Sequence, residues 1–149
     1  MFNYRLREQF LFAASDETIA CMFSALADKG GNITAFEQTR AAGNRTFLNT
    51  VRLVSGKAEG ENSDDLRTLK KILKKLGVYY KQKTVIQFIF TPGVAGQISA
   101  VYNLLWCRMT INAVYIGEDN ILYMDVSNIE KAQRILSNPN SKPCHKNAE

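Results

Sequence analysis

Seven consecutive residues, Thr91, Pro92, Gly93, Val94, Ala95, Gly96 and Gln97, interrupt the apolar run VIQFIF just before a helical pattern begins. Their types fit the binding of an anion. Glycine at Gly93 and Gly96 lets backbone N–H groups come close to a ligand, and the start of a helix adds positive dipole charge that suits a carboxylate. No Lys-Ser/Thr pair follows, so this is not a nucleotide-binding P-loop. A second reading needs no ligand: Thr91 caps the helix and Pro92 takes its first position. Both readings stand on the residues alone.

Other reactive groups are sparse. The only histidine, His145, lies beside Cys144 in a polar tail, where no Ser-His or Cys-His arrangement can be built around it. Cys21, Cys107 and Cys144 are far apart and form no C-x-x-C pair, which excludes a zinc ribbon and a thioredoxin-type motif. Their odd number, with no apolar leader segment, fits reduced thiols in a cytoplasmic setting better than a disulfide framework. Glu118 and Asp119 are adjacent acids in a turn, and a solvated turn explains them. The expectation is a protein with no catalytic residues, no metal site and no cofactor. No run approaches eighteen apolar residues, so no membrane-spanning helix is expected. The net charge of +5 and pI near 9.2 favour encounter with anions without naming one. Much of the excess sits in KKILKKLG, as the solvated flank of a helix.

The elements that must position these residues follow from periodicity. EQFLFAA reads as a strand ending near Ala14. SDETIACMFSALADKGG reads as a helix capped by Ser15 or Asp16 and stopped at Gly30 and Gly31. NITAFEQTRA and TFLNTVRLVSG form a hairpin around Gly43 and Asn44. SDDLRTLKKILKKLG is the clearest helix, with Leu66, Leu69, Ile72, Leu73 and Leu76 on one face. VYYKQKTVIQFIF is long for one strand. After the glycine-rich break, Ile98, Val101, Leu104 and Leu105 recur helically. MTINAVYI and ILYMDV form a second hairpin around GEDN. SNIEKAQRILSN opens with the capping box Ser127 and Glu130. Pro139 and Pro143 then stop any helix, and residues 139–149 are expected to be a disordered tail.

The order is β-α-β-β-α-β followed by α-β-β-α, so the chain repeats itself, with the long central strand serving both units. The fold class is therefore α+β: two ferredoxin-like βαββαβ repeats, residues 1–84 and 85–138, with helices on one face of antiparallel sheets. The second repeat lacks its last strand. That place must stay empty or be filled from elsewhere, for instance by a partner chain.

TPGVAGQISAVYNLL, MTINAVYIGED and LYMDVSNIEKAQRIL together resemble the ACT domain, a regulatory module that binds amino acids. The first unit is similar through FSALADKGGNITAF, where Gly30, Asn32 and Ile33 match the Gly-x-Asn-Ile entry to the second strand. The first unit has Ser15, Asp16 and Glu17 where Pro-Gly is expected, and the second has no glycine just before Thr110. The resemblance implies a regulatory sensor whose amino-acid ligand lies at a domain or subunit interface. Its carboxylate would meet Val94 to Gln97, with Thr91, Thr110 and Asn112 as ammonium acceptors and Asn32 of a facing unit completing the site. A second candidate cavity, near Ser15, Asp16 and Asn32, is too acidic to favour a carboxylate. The implied partners are the ligand, a second copy of the chain and a separate regulated protein. A ferredoxin-like RNA-binding module is the rival reading, weakened by the absence of its aromatic motif around Phe47 and Tyr123. A purely structural oligomer is the third.

Overall fold

The computed structural model describes residues 2–40, 43 and 47–145. One antiparallel sheet of six strands runs through it in the order β2-β3-β1-β4-β6-β5. The strands are β1 (Tyr4–Ala14), β2 (Ile33–Arg40), β3 (Asn49–Ser55), β4 (Tyr80–Phe88), β5 (Ile111–Ile116) and β6 (Leu122–Val126). Four helices connect them: α1 (Asp16–Asp28), α2 (Ser63–Lys75), α3 (Gln97–Leu105) and α4 (Ile129–Ser137). The expected α+β, ferredoxin-like class is the one found. The hairpin turn around Asn44 lies outside the described residues.

Alternation along each strand divides the sheet into two faces. Phe10, Phe12 and Ala14 of β1, with Val51 and Leu53 of β3, pack under Ile19, Met22 and Leu26 of α1 and Leu69, Ile72 and Leu73 of α2. Ile86 and Phe88 of β4, with Leu122, Met124 and Val126 of β6, pack under Val101, Leu104 and Leu105 of α3 and Ala132 and Leu136 of α4. All four helices thus cover one face. Lys71, Lys74 and Lys75 stay on the solvent side of α2.

With every helix on one side, the opposite face of an antiparallel sheet must be either buried or solvated. It is covered within the chain. The sheet curls until its edges meet, burying Ala35, Val54, Val85, Tyr115 and Tyr123 against one another. Gly117, just after β5, comes so close to β2 that a Cβ there would stand 2.3 Å from the Thr34 carbonyl oxygen.

The missing strand is also supplied internally. The first unit, β1-α1-β2-β3-α2, takes β4 as its last strand. The second, β4-α3-β5-β6-α4, has β1 in the corresponding place, beside β4 and across from β6. Each unit's first strand is the other's last. β4 pairs with β1 along its whole length, Tyr80 to Phe88, but with β6 only from Ile86 to Phe88. The boundary between residues 84 and 85 therefore falls inside a shared strand, and no partner chain is needed to fill the sheet.

Two further expectations are corrected at the C-terminus. Cys107 and Cys144 form a disulfide with their Cα atoms 5.8 Å apart, which leaves Cys21 as the free, exposed thiol. Residues 139–145, expected to be disordered, lie back along α3. The Cys144 amide donates to the Asn103 carbonyl at 2.6 Å and Arg108 Nη2 to the Lys142 carbonyl at 2.7 Å. Thirty-seven residues separate the two cysteines, so only the return of the chain past α4 brings them together.

Candidate functional site: the turn ahead of the third helix

The break is a turn, and the helix begins only at its last residue, Gln97. Gly96 is the N-cap of α3, in the left-handed region at φ 84°, and Gly93 sits there too at φ 77°. This is backbone that residues with a Cβ rarely adopt. Thr91 and Pro92 precede the helix, so the reading with Pro92 at the first helical position does not hold. No side chain caps α3. The first N–H groups of a helix lack intrahelical partners, and here no cap side chain supplies one.

Gln97 shapes the turn. Its Oε1 accepts from the Thr91 amide at 2.8 Å, and its Nε2 donates to the Thr91 and Val94 carbonyls, both at 2.8 Å. The side chain is committed to holding the loop, so only the backbone of Gln97 is left to meet anything outside it. The turn borders a depression of about 430 Å³ lined by Phe90, Thr91, Gly93, Val94, Gly96 and the first residues of α3. A Cβ on Gly93 or Gly96 would meet nothing within 4 Å, so both glycines face open space. Pro92 and Ala95 are exposed on the same turn. Sequence reasoning missed Phe90, Ile98 and Ser99 as lining residues, though they flank the motif directly.

The other expected residues are elsewhere. Leu122 pairs with Phe88 and Ile116 at one end of β6, and Val126 pairs with Ile111 at the other. The turn follows β4 at the first end, and Thr110 enters β5 at the second, about 14 Å away at 3.4 Å per residue. The Thr110 amide donates to Ser127 Oγ at 3.0 Å, and Asn112 Nδ2 donates to Asp125 Oδ1 at 3.3 Å. Neither shares a unit's cavity with the turn. Asn32 Nδ2 donates to the Gly56 carbonyl at 2.9 Å and to Glu118 Oε1 at 3.1 Å, joining the start of β2 to the loop after β5. Ser15 and Asp16 lie at the far end of the first unit from Asn32, because Ala14 pairs with Asn49 and Ile33 with Ser55. The second candidate cavity is thus not one place. Asp16 instead accepts from Asn49 Nδ2 at 2.7 Å and Arg40 Nη2 at 3.0 Å, bonds that hold its pKa below the ordinary value.

A feature no motif signalled adjoins the turn. Val94, Ile98, Tyr102 and Trp106 recur every fourth residue and are 55%, 48%, 42% and 41% exposed. They form an apolar ridge along the outer side of α3, continuous with the glycine-rich turn. Among the described residues, no three His, Cys, Asp or Glu side chains group to hold a metal ion, and no helix is long and apolar enough to cross a membrane.

No family model matches the chain, and no curated protein matches it. Solved structures do. Protein BT0572 from Bacteroides thetaiotaomicron aligns with a TM-score of 0.67 at 18% identity, over 89% of this chain and 88% of that one. The regulatory subunit of aspartate kinase from Thermus flavus aligns with a TM-score of 0.54 at 15% identity, over 88% and 89%. The ligand-free regulatory subunit of aspartate kinase from Thermus thermophilus gives 0.51 at 13%, over 88% and 90%. At these identities the likeness is one of fold, the ferredoxin-like α+β arrangement described above.

Proposed function

We propose that this protein is a non-catalytic regulatory module that binds a small ligand, an amino acid, at the turn Thr91–Gln97 where two copies meet. The observation that carries this reading is the apolar ridge of Val94, Ile98, Tyr102 and Trp106, which begins in the glycine-rich turn itself. A second copy seated on that ridge would bury the four side chains and close the open depression. The uncapped N-terminus of α3 supplies N–H donors for the ligand's carboxylate. Acceptors for its ammonium group come from Thr91 and from the facing copy, whose Thr110, Asn112 or Asn32 would reach a site they do not share within one chain. Fold likeness to two regulatory subunits supports a regulatory role and names neither ligand nor regulated protein.

The buried face bears on the rival reading. RNA-recognition modules of this element order stack bases on aromatics of an open sheet face. Here Tyr123 is wholly buried and stacked on Tyr115, with ring centroids 5.5 Å apart. A thermal-shift screen of the twenty amino acids, with single-stranded RNA beside them, tests the proposal. One or a few amino acids should raise the melting temperature, and saturation at a hundred times the dissociation constant should stabilise by about 2.7 kcal/mol. The response should vanish in a folded Gly93→Val/Gly96→Val protein, whose side chains would project into the depression. RNA binding without any amino-acid response would overturn it.

A further inference from the structure

The two sulfurs of the Cys107–Cys144 disulfide have unlike surroundings. The Cys107 amide donates to Cys144 Sγ at 3.2 Å, and Arg108 Nη1 points at the same sulfur from 3.6 Å. Lys131 Nζ, donating to the Arg108 carbonyl at 3.1 Å, brings a second cation to this end of α3. Among the described residues no acid pairs with Arg108, and no donor meets Cys107 Sγ. Cys107 is exposed and Cys144 half-buried. A depression of about 350 Å³ opens beside the pair, bordered by Tyr102, Asn103, Trp106 and Cys144.

These differences decide how the bond breaks. In thiol–disulfide exchange a thiolate attacks one sulfur while the other departs, faster the better its new charge is stabilised. N–H groups and cations supply that stabilisation, and here both are gathered on Cys144. We propose that Cys107 is a thiolation site: a low-molecular-mass thiol attacks its exposed sulfur, and Cys144 leaves as a thiolate held by Arg108 and the Cys107 amide. The incoming RS⁻ forms an S–S bond to Cys107, the Cys107–Cys144 bond breaks, and its electron pair stays on Cys144 Sγ. One disulfide is exchanged for another, with no net oxidation. Return attack by Cys144 on the Cys107 sulfur expels the small thiolate and closes the pair again. While it is open, residues 139–145 keep only hydrogen bonds that water can replace, among them Cys144 amide to Asn103 carbonyl, Arg108 Nη2 to Lys142 carbonyl and Ser141 Oγ to Ile135 carbonyl. Exchange therefore releases this strap from α3 and α4.

No residue of the turn Thr91–Gln97 takes part, so the test is independent of the amino-acid reading. The full chain carrying Cys21→Ser, which removes the other exposed thiol, is oxidised and then treated with reduced glutathione. Free thiols are alkylated at intervals and the products mapped by mass spectrometry, while Trp106, the chain's one tryptophan, reports opening by its fluorescence. Glutathione should appear on Cys107 and the alkyl group on Cys144, with protease cutting residues 139–145 only after opening. Arg108→Gln should slow opening about fivefold, and Arg108→Lys should restore most of the rate. The sign separates two roles, because an Arg108 that only tied down the Lys142 carbonyl would, once removed, let the pair open faster. Should Arg108→Gln fail to fold, the position of glutathione on the Arg108 protein decides. Opening in Arg108→Gln as fast as before or faster, glutathione mapped to Cys144, or a pair that stays closed under excess glutathione would each overturn the proposal. So would a reduced protein that oxidised glutathione cannot close.

Discussion

Asp125 is where the strands converge. Seated on β6, its buried carboxylate accepts from Gln9 Nε2 of β1 at 2.8 Å, Arg52 Nε of β3 at 3.4 Å, Lys83 Nζ of β4 at 2.5 Å and Asn112 Nδ2 of β5 at 3.3 Å. Burial pushes its pKa up, but hydrogen bonds from Lys83 and Gln9, the Lys83 charge and the Asn112 bond outweigh this and hold it below the ordinary value. A depressed carboxylate pKa contributes stability that is present above the unfolded value, near 3.9, and lost as pH falls through the folded one. Thermal melts between pH 6 and pH 3 should show this loss in the wild-type protein and a shallower one in Asp125→Asn. At neutral pH, Asp125→Ala should cost about 3 kcal/mol, the lower end for a broken buried pair because Lys83 still reaches water. A change under about 1 kcal/mol would show that the carboxylate does not tie the strands. Gly117 makes a different demand. Its φ of −116° is open to any residue, so the requirement is space, and an alanine Cβ would press on the Thr34 backbone. We expect Gly117→Ala to destabilise by about 1–3 kcal/mol, read by denaturant unfolding, with a neutral effect showing that the edges of the sheet do not meet.

Among the elements, local signals were legible wherever local physics decides. Ser15 caps α1 as read, accepting from the Thr18 amide. Small errors arose where neighbours compete: Asn62, not Ser63 or Asp64, caps α2, and Asn128, not Ser127, caps α4. The glycine-rich break was visible as a motif, because two left-handed positions need glycine. The committed side chain of Gln97 was not, since a glutamine at a helix start carries no sign of folding back on its own loop. Arg7 and Asp125 were invisible for a deeper reason. Polar residues alternating with apolar ones look like a solvated strand face, and only the curl of the sheet and, for Arg7, the segment from Ser55 to Glu61 bury them. The disulfide was lost in the same way, through a return of the chain over 37 residues. A cross-link closing such a loop stabilises by about 4 kcal/mol in the chain-entropy model. Cys144→Ser should therefore melt at a lower temperature than the wild type without reductant and match it when both are reduced. It should also be cut by protease within residues 139–145 before the core is. Equal melting temperatures without reductant would mean that the pair is not formed in solution.

For the whole molecule, the two units are alike in element order but unequal in completeness. Cut from its neighbour, the first keeps a full sheet, β2-β3-β1-β4, with both helices and their core. The second, from Tyr79 onward, keeps β4, β6 and β5 but loses β1, against which β4 pairs along its whole length. What remains for β4 is three residue pairs with β6, from Ile86 to Phe88. Half of that strand would then carry Lys81 and Lys83 into water with no neighbour, and Asp125 would lose Gln9 and Arg52. Short unsupported strands over a small core do not repay the entropy of ordering them. Residues 1–90 should thus fold alone with a cooperative melt by circular dichroism, whereas residues 79–149 should give the spectrum of an unfolded chain. Mixing the two fragments should not rescue the second, because the β4 of the first already occupies the place beside β1. A cooperative melt from residues 79–149 alone would show that the units are independent domains and that the shared central pair is incidental to the fold.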